Sequence, residues 1–598
     1  MQAAQCCRGL NVTRSRKLGG NHLYFSTYGL MTELRFQTRF VALSVTWVIF
    51  LLAEEVKNAA AVRAVVTNAA PGSWAVPQKI AVIGGGITAA ATAAFLKNLG
   101  STPCQPCEQG RAANVGEPAC RPAVHIDVFE GSDRLGGRLD FVSLEGEYLE
   151  VGGESLNSSN RYMEEFIRMY NADHGSPPST GEMVEPAAAV PGKLSWMVRK
   201  FMFNGQFVPL WSSSWTTELQ VRATDTVHSW ERLYKMFEES GSEGRSSNPS
   251  VSGTTRATAC SRTAFNSGLE MLQTVGLHRK VFTSLSSLVS RVVAPPGRRF
   301  VESIVQTVYT QNSTVHTLAG LLSIVCALGK PLITQVPHRR VVEYLLKRFA
   351  DNIYLDCKIE KVFQKTGVTR GGTEAHMFTL EASKCGSLAP DRLRERTYDY
   401  VVIAAQLSSA IRIFRQTQDQ KTVELFFPQY DYQRAFVTVV EAAAIKEDAT
   451  LVEYQTLIVT TPEYHGGIGT FLVSVCSDVR ASGFVVCKFK SGRKLSDEEL
   501  DSLFRDIRLV ERRDWYAYPF MHLFADTSAA GVKTYPPAAT TFELMPGLFH
   551  PNAFEGLFSC MEGQAVAARN VAHLIMNTIE SKFDEARRAS SAMYAEGR

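Results

Sequence analysis

Residues 80–96 constrain the fold of this chain more than any other segment. Ile80, Ala81, Val82 and Ile83 form an apolar run too short for a helix and suited to a buried parallel strand. Gly84, Gly85 and Gly86 follow at once, and the small-residue stretch from Ile87 to Leu96 reads as a helix. A strand, a glycine turn and a helix in that order make the phosphate-binding unit of a doubly wound α/β domain. Gly84 permits the tight turn. Gly86 leaves room for a pyrophosphate at the helix N-terminus, and Ala89 is the small position where the helix packs closely on the strand.

The other half of the fingerprint comes late. The run from Val124 to Phe129 is a second apolar strand, and it ends in Glu130, an acid placed to hydrogen-bond an adenosine ribose. The usual spacing from glycines to acid is about 20 residues, and here it is roughly twice that. The excess lies between Gly100 and Pro122, a Pro-, Gly-, Ala- and Cys-rich stretch that reads as an inserted surface loop. Just past the acid stand Gly137 and Arg138, and a further pair, Gly152 and Gly153, follows a strand-like segment from Glu145 to Val151. With these glycines the chain resembles the FAD-dependent amine oxidases, phytoene desaturases and their relatives. The resemblance implies FAD rather than NAD, with the loop ending in Arg138 lying along the pyrophosphate.

A length of 598 residues exceeds one hydrophobic core and predicts two or three domains. The net charge of +4 and the lack of a basic stripe interleaved with aromatics argue against a nucleic-acid partner. An uncharged apolar run from Phe40 to Ala53 follows Arg35 and Arg39, and matches the core of a secretory signal more closely than a membrane span. Either it is cleaved or it stays as an anchor. The expected location is the secretory pathway, with a lysosomal or extracellular lumen as its end and peripheral membrane association open. Cys104, Cys107 and Cys120 then read as a source of a local disulfide. Asn157 and Asn312 head glycan-acceptor triplets. No cluster suggests a metal.

Residues 194–239 are aromatic-rich and read as helical; Trp230, Tyr234 and Phe237 are core candidates or the lining of a pocket for a greasy substrate. Later apolar strands, Asn352 to Val362 and Tyr398 to Ala405, return to the nucleotide-binding sheet. The expected fold is therefore α/β, a discontinuous Rossmann-like FAD-binding domain with an inserted α+β substrate-binding domain. Residues 1–55 are the targeting segment; 78–193, 330–410 and 540–580 the FAD-binding domain; 194–329 and 411–539 the substrate domain; and 581–598 a tail.

Two C-terminal segments narrow the resemblance. The strand from Arg513 to Pro519 carries Trp515, Ala517 and Tyr518, and the segment from Phe554 to Ala572 carries Cys560, Met561 and Glu562 ahead of an Ala-rich helix. Both are similar to the prenylcysteine oxidase (prenylcysteine lyase) family. The resemblance spans about Lys79 to Thr578. It implies oxidative cleavage of a thioether: a prenylated cysteine, molecular oxygen and water give a prenyl aldehyde, cysteine and hydrogen peroxide; the alternatives are another flavin oxidase, acting on an amine or a polyene, and a lumenal flavin-binding protein without turnover. It also implies a backbone contact to adenine near Ile359. Glu562 reads either as part of a helix N-terminus aimed at the flavin or as an ordinary helix cap. No triad or acid pair is visible, and no catalytic base is assigned. One departure stands out. Where the family carries Gly-Gly-Asn, this chain has Pro337, His338 and Arg339. That change is expected to place bulk and positive charge beside the substrate, or to have moved outward as a solvated loop.

Overall fold

The computed structural model describes residues 77–101, 123–175, 198–242 and 262–596, less short stretches inside those ranges. The apolar run 40–53 and the cysteine-bearing loop 104–120 lie outside the described residues.

The first sheet is built on the glycine fingerprint. Strand β1 (Gln78–Ile83) is central, flanked by β2 (Val124–Phe129) and β4 (Tyr400–Ile403), with β3 (Asn352–Tyr354) and β5 (Leu548–Phe549) outside them. All five run parallel, in the order β3-β2-β1-β4-β5, and Glu543–Met545 closes the β5 edge antiparallel. This is the order of a dinucleotide-binding sheet, with ligands expected beyond the C-terminal ends of the strands. Ile80, Val82, Val401 and Val402 have no exposed surface, as strands covered on both faces require.

Helix α1 (Ile87–Ser101) follows the glycine turn. Ala89, Ala90, Ala91, Ala93 and Ala94 are all fully buried, so the helix has no polar side on this stretch. Alanine gives good helix propensity with little bulk, and two further helices close on α1: α2 (His338–Phe349) and α3 (Met561–Glu596). Helix α3 continues to Glu596, so residues 581–596 extend it and the expected separate tail is corrected.

A second, seven-stranded sheet forms the other half. Its order is Phe504–Pro519, Tyr432–Ile445, Val485–Ser491, Leu472–Cys476, Thr456–Thr460, Val198–Phe203 and Gln206–Val208. Residues 198–208 thus begin the aromatic-rich segment as strands, and the helix is Ser214–Ser242. That helix, with Pro295–Tyr309 and Thr317–Leu328, packs its apolar side on this sheet. A four-stranded sheet joins Glu374–Cys385, Cys357–Val368, Arg412–Gln416 and Thr422–Leu425. Because Arg412–Gln416 pairs in parallel with Cys357–Val368, the expected domain boundary at 410 falls inside one sheet and is corrected to beyond 425.

Two disulfides staple opposed strand residues, Cys357 to Cys385 and Cys476 to Cys487.

Candidate active site

The glycine turn is held from both sides. Gly84 adopts φ +114°, and a Cβ there would lie 2.6 Å from the Ala404 carbonyl oxygen, so only glycine fits. The Gly85 amide donates to Glu130 Oε2 at 2.6 Å, and Ser132 donates from its amide and hydroxyl to Oε1, each at 2.8 Å. The Glu130 carboxylate therefore sits against the turn at the end of β2, where an adenosine ribose is expected. The Gly136 amide donates to the Gly85 carbonyl at 2.8 Å, docking the second glycine loop on the first. Gly86 has no protein atom within 3.7 Å of where its Cβ would stand, the nearest being Gly137 Cα at 3.8 Å. A Cβ on Gly137, at φ +57°, would lie 3.2 Å from Gly86 Cα. Two bare backbones thus face one another at the N-terminus of α1, a cradle suited to a pyrophosphate. The residues present fit a dinucleotide.

Ala89 lies fully buried in α1. Ile359 is a core residue on Cys357–Val368, and the first amide of that strand donates to the Glu130 carbonyl at 2.8 Å. Its backbone therefore runs beside the ribose acid. Gly152 and Gly153 press on the second loop; a Cβ on Gly152 would lie 2.2 Å from the Arg138 carbonyl oxygen. A Cβ on Gly153 would stand 3.8 Å from Met561 Cγ, which carries the glycine track to the start of α3.

Two of the side chains named at the cofactor are engaged by protein groups. The Arg138 guanidinium pairs with the fully buried Glu555 and donates to the Ala517 carbonyl at 2.7 Å. Its charge is thereby neutralised within the protein, and the loop offers a phosphate its backbone rather than this group. Glu562 does not direct its carboxylate at a cofactor. It accepts from the amides of Tyr162 and Met163, each at 3.0 Å, and from the Tyr234 hydroxyl at 2.5 Å. It caps the N-terminus of Arg161–Asp173, a helix 400 residues away in sequence. Burial pushes its pKa up to about 7 against those hydrogen bonds.

The Pro337 departure is not an outward solvated loop, for His338 is buried. Pro337 stands just ahead of α2. The His338 amide donates to Glu150 Oε1 at 2.7 Å, its ring Nδ1 lies 3.0 Å from the Gly153 carbonyl oxygen, and burial lowers its pKa. Arg339 pairs with Asp140 and Glu343, and its stem packs against Gly136. The segment braces the glycine loops, and its charges are matched there.

Beyond Gly153 lies a cavity lined by Leu156, Trp230, Leu322, Val325, Phe558 and Met561, with Cys326 and Cys560 on its wall and Asn157 and Glu562 among its polar groups. Trp230 is thus both a core residue and a cavity wall. Cys326 and Cys560 are free thiols, and burial raises the pKa of each. Tyr309 and Tyr518 pack edge to face at 5.4 Å, within electrostatic reach of both cysteines. Trp515, by contrast, packs on the cluster around Val142 and Val439. Sequence reasoning missed Lys488 and Lys490 on the strand Val485–Ser491. Lys488 pairs with Glu154 at 2.6 Å, and Lys490 donates to the Thr307 and Val308 carbonyls. Asn157 is 8% exposed and accepts from the Ser159 amide, so it is closed to a glycan, whereas Asn312 is exposed.

The profile described as prenylcysteine lyase matches residues 259–588, more than half of the chain. A human protein named prenylcysteine oxidase 1-like is 24% identical over 550 residues, 88% of this chain and 96% of that one. Farnesylcysteine lyase from Arabidopsis thaliana is 23% identical over 522 residues, 85% and 89% of the two chains. Among solved structures, cyclohexylamine oxidase from Brevibacterium oxydans IH-35A is similar at 13% identity, with a TM-score of 0.46 over 85% of this chain and 100% of that one.

Proposed function

The chain belongs to the prenylcysteine lyase family, and from that premise we propose that it is an FAD-dependent oxidase that cleaves the thioether of a prenylated cysteine. The observation that carries the reading is the continuity of the cradle with the cavity: Gly153, at the end of the glycine track, abuts Met561 on the cavity wall.

The enzyme is an oxidoreductase and its cofactor is FAD. Bound FAD supplies the two-electron oxidation of the carbon beside sulfur, with molecular oxygen as final acceptor. The protein's part is placement of the thioether in an apolar cavity; one water adds to the oxidised carbon, the C–S bond breaks, and cysteine leaves as the thiol. Gly86, Gly137 and the start of α1 hold the pyrophosphate, and Glu130 holds the ribose. Leu322, Val325 and Trp230 offer the prenyl chain an apolar wall. No protein group need take a strongly basic role, because sulfur and the allylic double bond stabilise the carbon as it is oxidised. The walls fit that demand: the two thiols are held neutral by burial.

The reaction site also belongs to an oxidising lumen in this reading. Two disulfides in opposed strands suit such a compartment. The test is anaerobic mixing of the flavin-loaded protein with S-farnesylcysteine and, separately, with a primary amine. Loss of the oxidised flavin band with the thioether alone supports the proposal. Loss with the amine alone overturns it in favour of an amine oxidase.

A further inference from the structure

Arg138, Lys488 and Lys490 are three cations near the junction of the two halves, and they differ in how their charge is met. Arg138 is paired with Glu555. Lys488 is paired with Glu154 and also donates to the Glu150 carbonyl at 3.2 Å. Lys490 is two residues further along the same strand, so it projects from the same face of the sheet. Its Nζ donates to the Thr307 and Val308 carbonyls at 2.9 and 3.0 Å and stands 5.1 Å from the centre of the Tyr518 ring. No described carboxylate lies within ion-pair distance of it; the nearest electrostatic partner is Glu154, which Lys488 holds. Two carbonyls engage two of the three ammonium protons, and one donor remains.

Lys490 is set deep among protein groups yet keeps part of its surface accessible, as do Tyr518, Glu154, Cys326 and Cys560. Lys490 thus sits against Tyr518, which lies within electrostatic reach of Cys326 and Cys560 on the cavity wall. An ammonium group in such a place, with no counter-charge, is costly unless a ligand supplies one. The proposed substrate carries one carboxylate on its cysteine moiety, joined through a thioether to an apolar chain. Against these parts stand one cation with no described carboxylate partner, the Tyr518 ring beside it and, on the cavity wall, Leu322 and Val325.

We propose that Lys490 binds the α-carboxylate of the substrate and so selects a thioether amino acid over a prenyl thioether that lacks the acid. The inference rests on the function proposed above. It makes Lys490 a specificity residue that touches substrate, with Thr307, Val308 and Tyr518 fixing its ammonium group. Burial also favours its neutral form, lowering its pKa to about 7, and a bound carboxylate would reverse that shift.

The test compares S-farnesylcysteine with S-farnesylcysteamine, which has the same chain, sulfur and amine but no carboxylate. Dissociation constants are measured by tryptophan fluorescence under anaerobic conditions on the full chain with its flavin already reduced, so that no turnover occurs, for the wild type, Lys490→Met and Lys490→Arg. The expected wild-type preference for the carboxylate ligand is about 10- to 100-fold, the worth of a charge-assisted hydrogen bond. Lys490→Met should abolish that preference, and Lys490→Arg should keep most of it. A preference equal in all three proteins overturns the inference. So does a Lys490→Met variant that loses affinity for both ligands alike, which would mark Lys490 as a cap for the helix Pro295–Tyr309 only. If the wild type binds neither ligand while retaining FAD, the prenylcysteine reading itself falls.

Discussion

The guanidinium of Arg138 meets the buried carboxylate of Glu555, and this pair ties the second glycine loop to the segment that leads into α3. Tyr432 donates to the other Glu555 oxygen at 2.5 Å, so the carboxylate is shared between the cofactor half and the seven-stranded sheet. Removing one partner leaves a buried charge unmatched. Glu555→Gln should cost about 3 kcal/mol of stability. The double variant Arg138→Met/Glu555→Gln should lose clearly less than the sum of the two single changes. Denaturant titrations of all four proteins measure this, and strict additivity would show that the pair is not coupled.

Gly84 and Gly86 should fail in different ways. Gly84→Ala forces a Cβ to 2.6 Å from the Ala404 carbonyl oxygen at a positive φ, so the fold itself should suffer. Gly86→Val meets no protein atom nearer than 3.8 Å at its Cβ, so the protein should fold and lose FAD. Far-ultraviolet circular dichroism and flavin absorbance separate the two outcomes. A folded Gly86→Val protein with full flavin content would remove Gly86 from the pyrophosphate site.

The strand, glycine turn and helix from residue 78 onward were legible because they depend on local sequence alone. What the sequence hid depends on register and distant packing. Val486, Lys488 and Lys490 alternate with Val485, Cys487 and Phe489, yet Lys488 is buried and Lys490 half-buried. A period of two distinguishes the faces of a strand without saying what covers each. Cys357 and Cys385 meet because their strands pair in one register, which spacing cannot reveal. Glu562 was correctly read as a first-turn acid, yet the helix it caps is Arg161–Asp173 rather than its own. Pro337, His338 and Arg339 were legible as a departure, but their partners Glu150, Gly153 and Asp140 could be found only in three dimensions.

Glu150 gives a pH signature of defined sign. Burial raises its pKa to about 8, opposed by the His338 amide and by Lys488, and assisted by Glu154 and Asp140. The folded protein therefore keeps a proton that the unfolded chain has released between its ordinary carboxyl range and pH 8. The cost of burying this group is full above pH 8 and is relieved as pH falls. Relative to Glu150→Gln, which mimics the protonated form, the wild type should gain ~3 kcal/mol between pH 7.5 and 5. Paired denaturant curves at the two values check this, and a constant difference would mean that Glu150 stays ionised.

Entry into the secretory pathway should mark Asn312 and leave Asn157 bare. Asn312 is exposed beside Thr314, while Asn157 is buried on the cavity wall. A glycosidase-sensitive mobility shift should vanish in Asn312→Gln. A shift that persists in that variant would contradict the assignment, and a product with no shift from secretory cells would count against the compartment.

The central claim is the oxidative cleavage of a prenylated cysteine at the cavity beyond Gly153, and stoichiometry tests it most directly. Purified flavin-loaded protein is given S-farnesylcysteine in air, and prenyl aldehyde, free cysteine and hydrogen peroxide are quantified together. Equal amounts of all three, with none formed by Gly86→Val lacking flavin, are the predicted result. A protein that holds its FAD yet yields no aldehyde and no cysteine from the thioether would contradict the account.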